Sequence, residues 1–269
     1  MSDFLHASGR ALVMGIVNCT PDSFSGGNSK QQSIDLALRL LDEGADILDL
    51  GGESTRPGAE EVPLETEIER LLGVLQTVKK LRPASIISID TRKSKCAGIC
   101  LDNGADIIND VSGLVYSPDM AEVVRYFNAK LVIMHSLDGG KSNTQHQYSD
   151  VVREVYDFLQ KQFEYAVKCG VAAENIIVDP GIGFSKSAAE NFELLKNIDI
   201  FREIAPVLAG HSRKRFIRET LNINEPADSD GATALISVLA AQKGASIVRV
   251  HDVKTTVDYL KIAEKMRKN

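Results

Sequence analysis

The 269-residue sequence predicts a closed (β/α)8 barrel, the TIM-barrel class, on three observations. Short runs of aliphatic and β-branched residues alternate eight times with helix-forming stretches, which implies parallel strands joined by crossover helices. Most of the apolar runs end in a polar residue. A Gly-Ala-Asp phrase recurs at helix-to-strand turns, at Gly44-Ala45-Asp46 and Gly104-Ala105-Asp106, with Gly244-Ala245-Ser246 as a variant. One such barrel takes about 250 residues, so residues 1–269 read as a single domain with its core at about 12–267. A doubly wound open sheet is the competing architecture.

The elements follow in order. Leu12 to Val17 is the first strand, ending at Asn18, and Gln31 to Glu43 is an amphipathic helix closed by Gly44. Strand Asp46 to Leu50 leads through a Gly-Gly-Glu-Ser-Thr-Arg-Pro-Gly loop to the helix Leu64 to Leu81. Strand Ser85 to Ile89 ends at Asp90, before the helix Lys93 to Asn103. Asp106 to Ile108 leads into Asn109-Asp110 and the helix Asp119 to Phe127. Lys130 to Met134 ends at His135, before a long helix from about Ser149 to Cys169. Ile176-Ile177-Val178 suits a strand buried on both faces, and Asp179 stands at its end. Pro180, Gly181 and Gly183 then form a turn, and a helix runs from Ser187 to Ile198. Pro206 to Ala209 precedes Gly210-His211-Ser212-Arg213-Lys214, with helices Phe216 to Leu221 and Gly231 to Gln242. Strand Ser246 to Val250 carries Arg249, His251 follows it, and a last helix closes the chain.

Composition limits the function. The chain is 43% hydrophobic with a formal charge of −6, which argues against a nucleic-acid or anionic-membrane surface. An anionic substrate must be held by a few placed cations and backbone N–H groups. No run approaches the ~18 apolar residues of a membrane span, and Met1 to Arg10 contains no signal-peptide core. The scattered Cys19, Cys96, Cys100 and Cys169 read as reduced structural thiols. Together these point to the cytoplasm.

Ligands of such barrels meet the carboxyl ends of the strands. The polar residues there are Asn18, Asp49, Asp90, Asn109, His135, Asp179, Lys214, Arg249 and His251, with the loop from Glu53 to Arg56. Asp90, Asn109 and Asp179 supply the acceptors and the amide that match a heterocycle edge bearing N–H and NH2 groups. Lys214, Arg249 and His251 supply positive charge and several donors, suited to phosphate. Asn18 is a neutral oxygen ligand, and magnesium carried by a phosphate needs only one or two protein oxygens. Gly140-Lys141-Ser142 lacks the first glycine of a P-loop, and Gly181-x-Gly183 lacks the third glycine of a dinucleotide fingerprint. There is no His-Glu-x-x-His and no Gly-x-Ser-x-Gly elbow, so no covalent nucleophile is indicated.

Five segments occurring in order resemble the dihydropteroate synthase family. They are Asn18-x-Thr20-Pro21-Asp22-Ser23-Phe24, Gly51 to Gly58, Asp179 to Phe184, Ser212-Arg213-Lys214 and Arg249-Val250-His251-Asp252. The resemblance implies condensation of 6-hydroxymethyl-7,8-dihydropterin diphosphate with 4-aminobenzoate, giving 7,8-dihydropteroate and pyrophosphate, with Mg2+ as cofactor. It places the pterin on Asp90, Asn109, Met134, Asp179 and Lys214, and the diphosphate on Asn18, Thr55, Arg56, Arg249 and His251, with Asn18 the metal ligand. It places 4-aminobenzoate against Phe24, Arg56, Pro57, Phe184, Lys214 and Arg215. Asp90, Lys214 and Arg249 would carry the catalysis, with leaving-group departure first and amine attack second. It further implies a homodimer through outer helices, and the intact Ser54-Thr55-Arg56-Pro57-Gly58 implies inhibition by sulfonamides.

The chain departs from the family pattern in four places. Ser25 is followed directly by Gly26-Gly27, without the acidic residue common there; Ser136 follows His135; Arg215 follows Lys214; and His211 precedes Ser212. His211 is expected to support the site from behind. A methyltetrahydrofolate-using methyltransferase and a non-catalytic pterin binder are the alternative functions. The first has no need of the diphosphate set, and the second no need to retain Asn18, Lys214 and Arg249.

Overall fold

The computed structural model describes residues 10–20, 29–54, 60–137, 139–140 and 146–267. Among them, eight parallel strands run β1 (Leu12–Asn18), β2 (Ile47–Gly51), β3 (Ile86–Asp90), β4 (Ile107–Asp110), β5 (Lys130–Met134), β6 (Ile176–Asp179), β7 (Leu208–Ala209) and β8 (Ile247–Val250). Their order is β6-β5-β4-β3-β2-β1-β8-β7. A single bridge between Val178 and Val207, with the Val178 N–H donating to Pro206 O at 3.0 Å, joins the two ends and closes the barrel. The predicted class is the one observed.

The intervening helices are α1 (Ser29–Asp42), α2 (Leu64–Leu81), α3 (Ser94–Asp102), α4 (Met120–Phe127), α5 (Val151–Lys168), α6 (Ala188–Lys196), α7 (Ile198–Phe201), α8 (Arg215–Leu221), α9 (Asp230–Gln242) and α10 (Val253–Arg267). One expectation needs correction. The stretch from Ser187 to Ile198 is not one helix: it starts with a Ser187–Glu190 capping box and breaks at Asn197. The Asn197 amide donates to Glu193 O at 2.8 Å, a local bond that competes with helix continuation.

The repeated Gly-Ala-Asp phrase has a structural cause. Gly44, Gly104 and Gly244 adopt φ of 101°, 96° and 101°, the left-handed turn that ends a helix. The carboxylates of Asp46 and Asp106 then accept the Val13 and Ile87 N–H groups at 2.8 Å, tying each turn to the start of the preceding strand.

The barrel interior is a layer of Leu12, Met14, Ile47, Ile107, Val132, Ile177, Leu208 and Ile247. A larger apolar shell lies between strands and helices. Because side chains alternate along a strand, the residue two beyond an inward aliphatic also faces inward. Ile47 is therefore followed by Asp49, Ile107 by Asn109, Ile177 by Asp179 and Ile247 by Arg249. Polar groups collect above the apolar plug, at the strands' carboxyl ends. No helix of the described residues is long and apolar enough to cross a membrane.

Candidate active site

Register sets the level of the cluster. Asn18 pairs with Gly51, Gly51 with Asp90, and Asp90 with Asn109, so four neighbouring strands bring these positions side by side. Gly51 keeps the space between them open. A Cβ there would stand 3.9 Å from both the Asn18 amide oxygen and Asp90 Oδ2.

Arg249 ties the cluster together. Its Nε donates to Asp49 Oδ2 at 2.6 Å and its Nη2 to Asp90 Oδ2 at 2.7 Å. Asn109 Nδ2 donates to the same Asp49 oxygen at 3.1 Å. Asp49 is 0% exposed. Burial works against the Arg249 charge, but Asp49 and Asp90 outweigh it and hold its pKa above the ordinary value. For Asp90 the balance runs the other way. Burial pushes its carboxyl up to about 7; Arg249 opposes the rise and the neighbouring Asp49 adds to it. One guanidinium shared by two carboxylates is not enough to neutralise both. Asp49 Oδ1 and Asn109 Oδ1 are buried acceptors with no partner among the described residues.

Asp179, Lys214 and Phe184 form the opposite side. Asp179 Oδ1 accepts the Gly181 N–H at 2.8 Å, yet burial still raises this carboxyl to about 6. Burial, reinforced by Arg249, pulls the Lys214 ammonium down to about 8, while Asp179 and Asp90 resist. Lys214 Nζ lies 3.9 Å from the centre of the Phe184 ring, a cation–π contact. Its alkyl chain crosses Gly183, where a Cβ would come within 2.7 Å of Lys214 Cδ. Met134 is buried with Val111 and Phe184.

On the β7–β8 side, Ser212 Oγ accepts the His251 backbone N–H at 3.1 Å and sits 2.9 Å from His251 Nδ1. The Ser212 hydroxyl, able both to donate and to accept, thereby holds the imidazole in place.

The pterin binding enzyme family model matches residues 14–251 of this chain. The dihydropteroate synthase of Streptococcus pyogenes serotype M6 is 41% identical over 263 residues, covering 96% of each protein. The chain is 43% identical over 256 residues to a probable bifunctional folylpolyglutamate synthase/dihydropteroate synthase of Haloferax volcanii, spanning 30% of that longer protein. A Xanthomonas albilineans dihydropteroate synthase solved with 4-aminobenzoic acid superimposes with a TM-score of 0.92 at 39% identity, covering 97% of this chain and 94% of that one. The chain belongs to the dihydropteroate synthase family.

Within the dihydropteroate synthase frame, the structure brings together Asp90, Asn109, Asp179, Lys214 and Arg249 as one network, with Asn18 beside Asp90 and Phe184 beneath Lys214. Phe24, Thr55, Arg56 and Pro57 lie outside the described residues. Arg215 is not brought to the cluster: it begins α8, is 78% exposed and pairs with Glu219 at 3.1 Å along the helix surface. A residue one step past Lys214 turns outward as the helix starts, so its expected contact with 4-aminobenzoate has no support in this arrangement. His211 is fully buried behind the site, its Nε2 3.0 Å from both Thr233 O and Ser237 Oγ of α9.

Asp49 received no role from sequence, although it joins Asn109 to Arg249. A signal for it was present: it is the one charged residue in the buried run Ile47–Gly51, in phase with Ile47. For a divalent cation, no group of three or more His, Cys, Asp or Glu side chains suited to a metal occurs among the described residues. The donors present, the Asn18 amide oxygen facing the gap above Gly51, fit magnesium that arrives on a phosphate and keeps few protein ligands.

Proposed function

We propose that this chain condenses 6-hydroxymethyl-7,8-dihydropterin diphosphate with 4-aminobenzoate, releasing pyrophosphate and forming 7,8-dihydropteroate. The observation that carries the reading is the Arg249 bridge, which joins an acceptor-rich wall to a cationic one at the mouth of a single barrel. Full-length likeness to dihydropteroate synthases supports the same reaction.

The buried acceptors Asn109 Oδ1 and Asp179, with the partly exposed Asp90, match the N–H and amino groups of a pterin ring. Asn109 Oδ1 and Asp49 Oδ1 meet no donor among the described residues, and burying such acceptors is costly, which favours a donor-bearing heterocycle over an apolar ligand. Arg249 engages its carboxylates through Nε and Nη2, leaving Nη1 and its two N–H donors for a phosphate oxygen. In this reading His251 and Asn18 complete the diphosphate side. Magnesium held by Asn18 and the diphosphate would supply further stabilisation of the leaving group's charge.

The reaction breaks the C–O bond between the pterin methylene and the diphosphate and forms a C–N bond to the arylamine, which loses a proton. As the C–O bond lengthens, negative charge grows toward Arg249 and His251 while positive charge grows on the ring side. An ionised Asp90 offsets the latter in a poorly solvated site. Lys214 and Phe184 bound the side from which the amine arrives.

Three further readings accompany this one. The exposed apolar residues Leu235, Leu239, Tyr259, Ile262 and Met266 share the α9–α10 face and suit a homodimer contact. Four free cysteines, three of them buried, suit a reducing cytoplasm. Sulfonamides, as aminobenzoate mimics, would compete at the Phe184–Lys214 side. The function is tested by incubating the protein with both substrates and Mg2+ and measuring pyrophosphate and the pteroate product. Equal amounts of the two, dependent on both substrates, are expected. Pterin binding without turnover would make the chain a binder and refute the reading.

A further inference from the structure

Lys186 ends the Asp-Pro-Gly-Ile-Gly-Phe-Ser-Lys stretch and belongs to none of the substrate sets above. Its three ammonium donors meet three acceptors: Gly181 O at 2.9 Å, Phe184 O at 3.0 Å and His135 Nδ1 at 3.0 Å. The loop it closes holds Gly181, Gly183 and Ser185 at φ of 67°, 82° and 52°. Glycine takes such angles freely, but a serine persists there only where surrounding contacts over-determine it.

The acceptor from β5 is dependable. Burial, aided by the Lys186 charge, pulls the His135 imidazole down to about 3, so the ring is neutral at any ordinary pH. His135 is itself fixed: its backbone N–H donates to Asp179 O at 2.9 Å and its ring meets Phe158 edge-on at 4.9 Å. The loop presses against it so closely that a Cβ on Gly181 would lie 2.0 Å from His135 O. Lys186 thus staples a strained loop to the end of β5.

That loop is the floor under Lys214. Gly183 underlies the lysine's alkyl chain and the Phe184 ring underlies its ammonium. We propose that Lys186 is a positioning residue for the reaction: by drawing the Gly181 and Phe184 carbonyls onto His135, it fixes the Phe184 ring beneath Lys214 and so shapes the aminobenzoate side of the site. This rests on the reading above that Phe184 and Lys214 bound that side. Lys186 acts through Phe184 and touches no reacting atom.

A general loop staple would, on removal, lower stability or weaken both substrates alike. A positioning role separates them: Asp90, Asn109 and Arg249 lie on other strands, and Asp179, at the end of β6, keeps its bond from the Gly181 N–H, which does not involve the Lys186 ammonium. Lys186→Met preserves length and apolar packing but removes all three donors. Small misplacements of a reacting partner cost up to ~100-fold, so KM for 4-aminobenzoate should rise about tenfold or more. Calorimetric Kd for pterin diphosphate should stay within about twofold. His135→Phe keeps a ring against Phe158 and removes the Nδ1 acceptor along with the other ring nitrogen; it should raise the same KM by about threefold or more, and it carries the test if Lys186→Met does not fold. Equal loss for both substrates, or no change in aminobenzoate KM, would overturn the proposal. Phe184→Ala is the control for the underlying reading. If it leaves aminobenzoate KM unchanged, the assignment of Phe184 fails; if it raises KM while Lys186→Met does not, only the role of Lys186 fails.

Discussion

Asp90→Asn should make the protein more stable and less active, with a gain that grows with pH. Burial raises the Asp90 carboxyl from its ordinary 3.8 to about 7. In the folded state the group therefore holds its proton between those values, where the unfolded chain has released it. By linkage, the wild type loses about 1.36 kcal/mol of stability for each pH unit climbed in that interval, and the loss is complete above about 7. Asparagine is a neutral isostere and carries no such loss. The Asn variant's advantage should widen by about 3 kcal/mol between pH 5 and pH 8. At roughly 2–4 °C per kcal/mol for a chain of this size, the Tm gap should open by on the order of 6–12 °C. The attraction of Arg249 is already included, since it opposes the rise of the Asp90 value. Thermal melts of both proteins in matched buffers at pH 5 and pH 8 give the gap. In the same variant turnover should fall far more than diphosphate affinity, because Asp90 offsets charge that exists only as the leaving group departs. A gap that stays constant or narrows with pH, or near-normal turnover, would refute the reasoning.

Three more outcomes follow. The rate should peak within a narrow window between about pH 7 and 8: below it Asp90 and then Asp179 take up protons, and above it Lys214 loses its own. A profile of kcat/KM flat from about pH 6 to 9 would contradict this. Sulfamethoxazole should inhibit competitively with 4-aminobenzoate, and insensitivity at high micromolar drug would tell against the intact Ser54-Thr55-Arg56-Pro57-Gly58 sequence as a sign of susceptibility. Gly181→Ala should cost at least about 2 kcal/mol of stability, because φ is 67° and the new Cβ would strike His135 O; a melt matching the wild type would count against the strained loop.

Much of this architecture could be read from the chain. A parallel barrel buries its strands on both faces, so runs such as Ile176-Ile177-Val178 announce themselves, and left-handed glycines such as Gly44 and Gly104 mark the helix ends. The acceptor and cation classes could be separated because each falls at a strand end. What could not be read was how the classes join. That Arg249 bridges Asp49 and Asp90 is a contact between residues 200 and 159 positions apart, set by barrel closure rather than local pattern. For Arg215 the chain gave no sign of its exposed pairing with Glu219 in the first turn of α8, one step past the inward-facing Lys214. Lys186 was visible as part of a motif, but its grip on His135 spans 51 positions and depends on the folded loop.

The most direct test of the account is a crystal structure with Mg2+, pterin diphosphate and an unreactive aminobenzoate analogue bound. The account predicts the pterin ring hydrogen-bonded to Asp90, Asn109 and Asp179, the diphosphate on Arg249 and His251 with Mg2+ at Asn18, and the analogue beside Phe184 and Lys214. A pterin ring bound away from those three acceptors, or a diphosphate that leaves Arg249 untouched, would contradict it.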